Sequence, residues 1–225
     1  MTIDRRTALV AAVGAGALAT LPASAAAQTA AFAPQPLPFD PAAVPGLSAK
    51  LLTSHHDNNY VGAVKRLGAI RGEFGKLDMA TAPGFAINGL KREELIAWNS
   101  MVLHEIYFSG LGTPNRPGTP LASAIERDFG SMARWQAEYV AMGKALGGGS
   151  GWVILTWSSH DRRLVNTWAA DHTMTLAGAT PILVLDMYEH AYAMDFGAKA
   201  AAYVDAVMAA TNWTAADARF AKASA

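Results

Sequence analysis

Pro181-Ile182-Leu183-Val184-Leu185-Asp186-Met187-Tyr188-Glu189-His190-Ala191-Tyr192 is the stretch on which the reading of this chain turns. Residues 181–185 are an unbroken apolar run of strand-forming type, opened by a proline and stopped by a carboxylate. A third and last strand is expected over Pro181–Asp186. His190 comes four residues later. If the chain turns into a helix after the strand, an aspartate and a histidine at that spacing converge on one point. They are two of the donors that a nitrogen-and-oxygen metal site needs.

Working back from that strand, Trp152–Trp157 and Arg163–Trp168 are β-rich runs on either side of a polar turn at Ser158–Arg162, which predicts a hairpin. The glycine-rich Gly147-Gly148-Gly149-Ser150-Gly151 precedes it, after helical segments at Leu121–Asp128 and Met132–Leu146. Beyond the strand, helices over Ala198–Ala209 and Thr214–Ala221 close the chain.

The first half has a different character. Pro34-Gln35-Pro36-Leu37-Pro38-Phe39-Asp40-Pro41 is an extended arm. Ser48 then caps a helix running through Arg66 toward Phe74. A loop at Pro83-Gly84 separates it from a second helix, Lys91–Phe108, whose apolar stripe is Leu95, Trp98, Val102 and Ile106. Two long helices joined by a loop predict an antiparallel hairpin. Three prolines and three glycines between Gly110 and Pro120 mark the boundary. The expected class is α+β: an N-terminal α-helical hairpin, then a C-terminal domain with a three-stranded antiparallel sheet and surrounding helices. The expected domains are 28–115 and 116–225. No internal repeat is present.

Composition narrows the function classes. Of the 225 residues, 52% are hydrophobic and 16% charged, which excludes a disordered chain. Lysine plus arginine equals aspartate plus glutamate at 18 each, so no nucleic-acid partner is expected. Without cysteine there is no disulfide scaffold, thiolate metal site or thiol nucleophile. Part of the hydrophobicity belongs to a leader. Arg5 and Arg6 precede an uncharged run from Ala8 to Leu21, and Ala25-Ala26-Ala27 offers a cleavage point before Gln28. The paired arginines resemble a twin-arginine signal, although Ala8 stands where such signals usually carry phenylalanine. That reading is preferred over general secretion and over an uncleaved anchor. It predicts an exported, periplasmic protein with no membrane attachment once residues 1–27 are removed.

Six histidines, at 55, 56, 104, 160, 172 and 190, carry the chemistry. His55 lines up with Leu52, Asn59 and Ala63, and His104 with Ala97, Met101 and Phe108. Both stripes are largely apolar, so both imidazoles should face the hairpin interior. A buried imidazole needs a partner, and taken alone each is more often a hydrogen-bonded core residue. With Asp186 and His190 they make four candidate ligands, which favours a shared ion.

The ordered segments resemble the iron/manganese superoxide dismutase family along essentially the whole chain after the leader. They are Leu37-Pro38-Phe39-Asp40, Leu47-Ser48 to His55-His56, His104 to Gly110, Ile125 to Ser131, Gly149-Ser150-Gly151-Trp152, Asp186 to Tyr192 and Asn212-Trp213. The most specific is Asp186 to Tyr192, close to the family's D-x-W-E-H-A-Y-Y. The resemblance implies that His55, His104, Asp186 and His190 hold one iron or manganese ion per subunit, iron preferred. It implies dismutation of superoxide to oxygen and hydrogen peroxide, with Trp152 and Tyr188 as pocket walls. It also implies a homodimer in which Glu189 reaches a ligand histidine across the interface.

Several positions depart from that pattern. The gate histidine and tyrosine, four and eight residues after the first ligand, are here Asn59 and Ala63, and the second tyrosine after H-A is Ala193. Tyr60 either returns a phenol to the entrance or simply packs. The arginines that usually come after the signature are missing from Gly197–Ala202, which weakens attraction of an anionic substrate. These losses leave open a second reading, a metal-binding scaffold with little dismutase activity. Ser100 replaces the glutamine that family members place near the solvent ligand, and His172 is expected to take over as donor, or Asp171 if the alignment slips by one.

Overall fold

The computed structural model describes residues 33–225. The leader expected at residues 1–27, with Arg5 and Arg6, lies outside them. After the arm and a short turn at Pro41–Ala43, the chain forms α1 (Ala49–Ser54), a π-helical turn (His55–Tyr60) and α2 (Val61–Phe74) as one rod. It then forms α3 (Gly84–Ser109), α4 (Thr119–Phe129) and α5 (Met132–Ala145), before β1 (Trp152–Ser158), β2 (Arg163–Ala169) and β3 (Ala179–Asp186). A 3-10 turn (Glu189–Ala191), α6 (Ala193–Phe196), α7 (Ala200–Ala209) and α8 (Thr214–Ala223) complete it. The α+β class holds. No described helix is long and apolar enough to cross a membrane.

The rod starts where Ser48 accepts the Leu51 N–H on its hydroxyl at 3.0 Å, the cap expected from sequence. It packs against α3 in antiparallel fashion, with Tyr60 bonded to Glu105 near one end and Arg66 paired with Glu93 further along. Two expectations for α3 are corrected. It begins at Gly84 and not Lys91: Gly84 and Gly89 weaken the helical signal of its first turns, which packing on α2 nevertheless holds. The stripe Leu95, Trp98, Val102, Ile106 is only partly inward. Leu95 and Trp98 are exposed, with Arg71 over the Trp98 ring, while Ala97, Met101, His104 and Phe108 are buried. One helix cannot bury both stripes against a single partner rod, and the stripe that carries the histidine is the buried one.

The sheet has the order β2-β1-β3, antiparallel throughout. Every residue of β1 is buried, as a central strand covered on both faces must be. Its register sets Trp152 opposite Asp186 on one side and Ala169 on the other. The β1–β3 ladder slips between Leu155 and Thr156, next to Pro181, which has no N–H to give. Gly151 has φ +133°, and a Cβ there would lie 2.2 Å from the Ala169 carbonyl oxygen, so only glycine brings the chain into β1 along this path. Behind the sheet, Tyr139 of α5 donates to the Val153 carbonyl at 3.1 Å. The end of α3 is stitched to the C-terminal helices by Asn212 N–H donating to Gly110 O at 2.8 Å. A single buried apolar cluster runs from Val44 to Phe220 through both halves.

Candidate metal centre

Four side chains from three parts of the chain meet where the hairpin touches the sheet. One ligand atom from each of His55, His104, Asp186 and His190 lies within 4.8 Å of the others. His55 Nε2 is 3.1 Å, His190 Nε2 3.3 Å and His104 Nε2 3.5 Å from the same atom, Asp186 Oδ2. His55 comes from the first residue of the π-turn, His104 from the inner face of α3, Asp186 from the last position of β3 and His190 from the 3-10 turn. The helix expected to carry His190 is thus replaced by a short non-helical link, in which Tyr188 is extended, and a single tight turn. The tight turn gives the convergence that a helix was expected to give.

The protonation states suit a cation. Burial depresses the basicity of His55, and of His104 to about 3, so both are neutral at physiological pH. Burial alone would raise the Asp186 carboxyl, but hydrogen bonding to His190 and His55 outweighs it and holds the group well below the ordinary carboxylate range. His104 donates its Nδ1 proton to the Ser100 carbonyl oxygen at 2.6 Å, leaving Nε2 as a bare lone pair. That Nε2, and Nδ1 of His55, are buried with no hydrogen-bond partner. An unprotonated nitrogen buried against a carboxylate oxygen is costly. A metal ion between them satisfies both, so the donors present fit iron or manganese, which nitrogen and carboxylate ligands accommodate.

Asp186 is fixed from behind. Tyr188 N–H donates to its Oδ1 at 2.8 Å, and Tyr203 of α7 donates to its carbonyl oxygen at 2.8 Å. The Tyr203 hydroxyl also lies 3.1 Å from that of Tyr107, whose ring packs on His55. Neither tyrosine was anticipated from sequence. Tyr107 falls three residues after His104 and shares its side of α3, a signal that was available; nothing local marks Tyr203.

On the other side, His172, Tyr188 and His190 form a column of parallel rings, with centroids 4.8 Å and 5.3 Å apart. Trp152 stands edge-on to His104 and donates Nε1–H to His172 Nδ1 at 3.0 Å. With Nδ1 accepting, the neutral His172 ring carries its proton on Nε2, and burial lowers its basicity further. Asn99 Nδ2 donates to the His172 carbonyl at 2.7 Å and holds the loop in place. Asp171 is exposed and turned into its own loop, accepting from the N–H and hydroxyl of Thr173. Of the two alternatives, it is His172 that sits at the cluster.

The remaining expected residues are placed differently. Tyr60 is buried, its hydroxyl donating to Glu105 Oε1 at 2.9 Å and accepting from Gln35 N–H at 2.8 Å. Of its two readings the geometry favours the packed one, because the hydroxyl is already engaged away from the cluster. Asn59 is half-buried, Ala63 buried and Ala193 exposed. Glu189 is exposed, and its side chain makes no hydrogen bond or ion pair among the described residues.

Comparison with known proteins gives concordant results. The family model for iron/manganese superoxide dismutases, C-terminal domain, matches residues 117–219. A protein of Cupriavidus metallidurans named superoxide dismutase [Fe] is 65% identical over 189 residues, covering 84% of this chain and 96% of the relative. Superoxide dismutase [Mn] 1 of Halobacterium salinarum is 31% identical over 193 residues, with 84% and 94% coverage. Superoxide dismutase [Mn/Fe] of Propionibacterium freudenreichii subsp. shermanii is 30% identical over 197 residues, with 83% and 95% coverage.

Proposed function

The chain belongs to the iron/manganese superoxide dismutase family, and from that premise we propose that His55, His104, Asp186 and His190 hold its single metal ion. The protein is an oxidoreductase that converts superoxide to oxygen and hydrogen peroxide with iron or manganese. Iron is the preferred ion in this reading, because the relative at 65% identity is an iron enzyme by name. The observation that carries the ligand assignment is the convergence of four donor atoms within 4.8 Å, three of the four residues buried and His190 partly so, with one donor a bare imidazole nitrogen that has no other partner.

When bound, the ion supplies a one-electron couple that oxidises one superoxide and reduces a second. The chain's own groups do the rest. Asp186 brings one negative charge against the ion; the Tyr188 N–H keeps its carboxylate from turning, and Tyr203 holds its backbone carbonyl in place. His172 presents a neutral ring with Nε2–H as donor, and Trp152 fixes that tautomer by donating to Nδ1. In this role His172 would offer its Nε2–H as a hydrogen-bond donor to a substrate oxygen. Tyr188, stacked between His172 and His190, closes the wall and keeps the two rings parallel. Burial of the cluster excludes bulk water and strengthens each of these interactions.

Two further parts of the reading concern assembly and location. An exposed, unpaired Glu189 beside His190 supports a homodimer in which the carboxylate meets a ligand histidine of the second subunit. Arg5-Arg6 and the Ala25-Ala26-Ala27 site support periplasmic export through a twin-arginine route. A centre assembled from distant segments exists only in the folded chain, so the metal is inserted before such export.

Elemental analysis and a dismutase assay on one sample of native exported protein test the proposal. Iron or manganese near one ion per chain with rapid superoxide removal supports it. Full metal without turnover supports the scaffold reading instead. Changing Arg5 and Arg6 to lysine should trap active, metal-loaded protein in the cytoplasm, whereas unchanged export points to general secretion.

A further inference from the structure

We propose that Tyr60, Glu105 and the backbone of Gln35 form a latch that holds the π-turn, and with it His55, in register with α3 and His104. The proposal rests on the metal centre described above. Its evidence is separate, because none of the three groups is a candidate ligand.

Tyr60 is the last residue of the π-turn that His55 begins. Its hydroxyl has one proton and gives it to Glu105 Oε1 at 2.9 Å, on the residue next to His104. The same oxygen accepts the Gln35 N–H at 2.8 Å, and the Gln35 carbonyl accepts from His56 Nε2 at 2.8 Å. Both backbone polar groups of one arm residue are therefore gripped by the π-turn, and the π-turn is bonded to α3. Burial pushes the Tyr60 phenol up to about 12, so it remains a donor throughout the working pH range. Phe108 links the latch to the centre, its ring 6.4 Å from Tyr60, 5.0 Å from His55 and 6.3 Å from His104.

The physical need for a latch lies in the turn itself. Val61 N–H bonds back five residues to His56 O, where an α-helix would bond back four. Such a turn is rare and persists where its surroundings over-determine it. Relaxation to α geometry removes one residue from the turn and rotates α1 by about 100° against α2. His55 stands at that junction, so its aim at Asp186 depends on the π-turn surviving. A bound ion helps to hold His55; before the ion enters, the hydrogen-bonded latch holds it. Tyr60 and Glu105 are thus positioning residues that pre-organise the site for metal uptake and retention.

Tyr60→Phe in the full chain, purified with its metal, tests this by deleting only the hydroxyl. Metal loss to a competing chelator should quicken at least about tenfold, the size of the lost bond to the Glu105 carboxylate, with the lost Gln35 bond adding to it. Amide exchange should rise over residues 55–61 in the metal-free protein and stay unchanged in the sheet. Glu105→Gln, which keeps an acceptor, should retain more metal than Glu105→Ala, and Tyr60→Phe should add to Glu105→Ala only the smaller loss seen in Gln35→Pro. Wild-type release and wild-type exchange at 55–61 would overturn the latch. So would a rise in exchange across the whole molecule, which marks general loosening. If Tyr60→Phe does not fold, Gln35→Pro removes the arm's N–H from an already extended, proline-flanked position; it should speed metal loss in the same direction but less, and no change there overturns the proposal. Full metal content in His55→Ala would sink the ligand assignment instead, while the exchange result on metal-free protein would still report on the latch.

Discussion

His55, His104 and Asp186 are at most 1% exposed and stand in a cage of partners, whereas Asn59 and Ala193, at gate positions, and Glu189, at the position implied for a subunit contact, are half-buried or exposed; only the gate position at Ala63 is buried. Asp186 alone is tied by Tyr188, Tyr203 and two imidazoles. The Glu189 side chain makes no hydrogen bond or ion pair among the described residues, and Ala193 has no polar side chain with which to make one. The floor of the centre is over-determined within one subunit, and the rim is not. A site of this kind holds its ion by the floor, while the rim tunes access and is free to vary, or is completed by a second chain. That contrast accounts for a chain with a complete set of candidate ligands and altered gate positions.

The largest expected effect is at the floor. Asp186→Ala should remove the metal and lower activity by more than about a hundredfold, beyond the loss typical of a residue that only orients a ligand. Metal content and rate measured on the same preparation check it, and full metal retention would break the comparison at its root. His104→Ala should behave alike.

Between floor and rim stands His172. His172→Ala should keep most of the metal, change the optical spectrum of the centre, and slow turnover about tenfold or more. If metal, spectrum and rate all remain near wild type, the ring column is packing and the rim begins one layer deeper.

A subtler probe presses on the floor from behind. At Gly143 of α5 an added Cβ would lie 2.7 Å from Leu185 Cδ2 and 3.2 Å from Val204. Gly143→Ala should cost about 1–3 kcal/mol by overpacking. That would appear in thermal denaturation as a melting temperature lower by several degrees. Activity per bound metal should survive, because Asp186 has independent anchors. A large fall in specific activity would show that the floor is less redundant than its contacts indicate.

The smallest effect is expected at the rim. If the proposed homodimer forms, Asn59→His combined with Ala193→Tyr restores the pair the family resemblance implies between subunits and should tighten that dimer by up to about tenfold, the range of one partly exposed hydrogen bond. Sedimentation against concentration measures it. A shift of several orders of magnitude, or a lost metal, would place these positions in the floor.

Much of this arrangement is legible in the chain's local patterns. Ser48 announces its helix because a hydroxyl cap acts within three residues. The strand ending at Asp186 and the placement of His190 four residues on depend only on a short apolar run and a turn. His55 and His104 point inward because each shares a periodic face with apolar neighbours. Such signals are local, and a local pattern survives being read one residue at a time.

The amino-acid order alone thus determined the class of fold, the four candidate donors, and the elements that carry His55, His104 and Asp186, though not the tight turn under His190. Tertiary structure decided the rest. Leu95 and Trp98 have helical spacing yet lie outside, because the α2 rod covers the other face of α3. Tyr60 turned away from the cluster because a π-turn and a carboxylate 45 residues on captured its hydroxyl. Trp152 and His172 became partners across 20 residues, and Tyr203 found the Asp186 carbonyl from α7. Each of these outcomes is a competition among contacts remote in sequence, settled by which groups the packed chain leaves buried and unsatisfied. Periodicity and propensity carry no term for that competition.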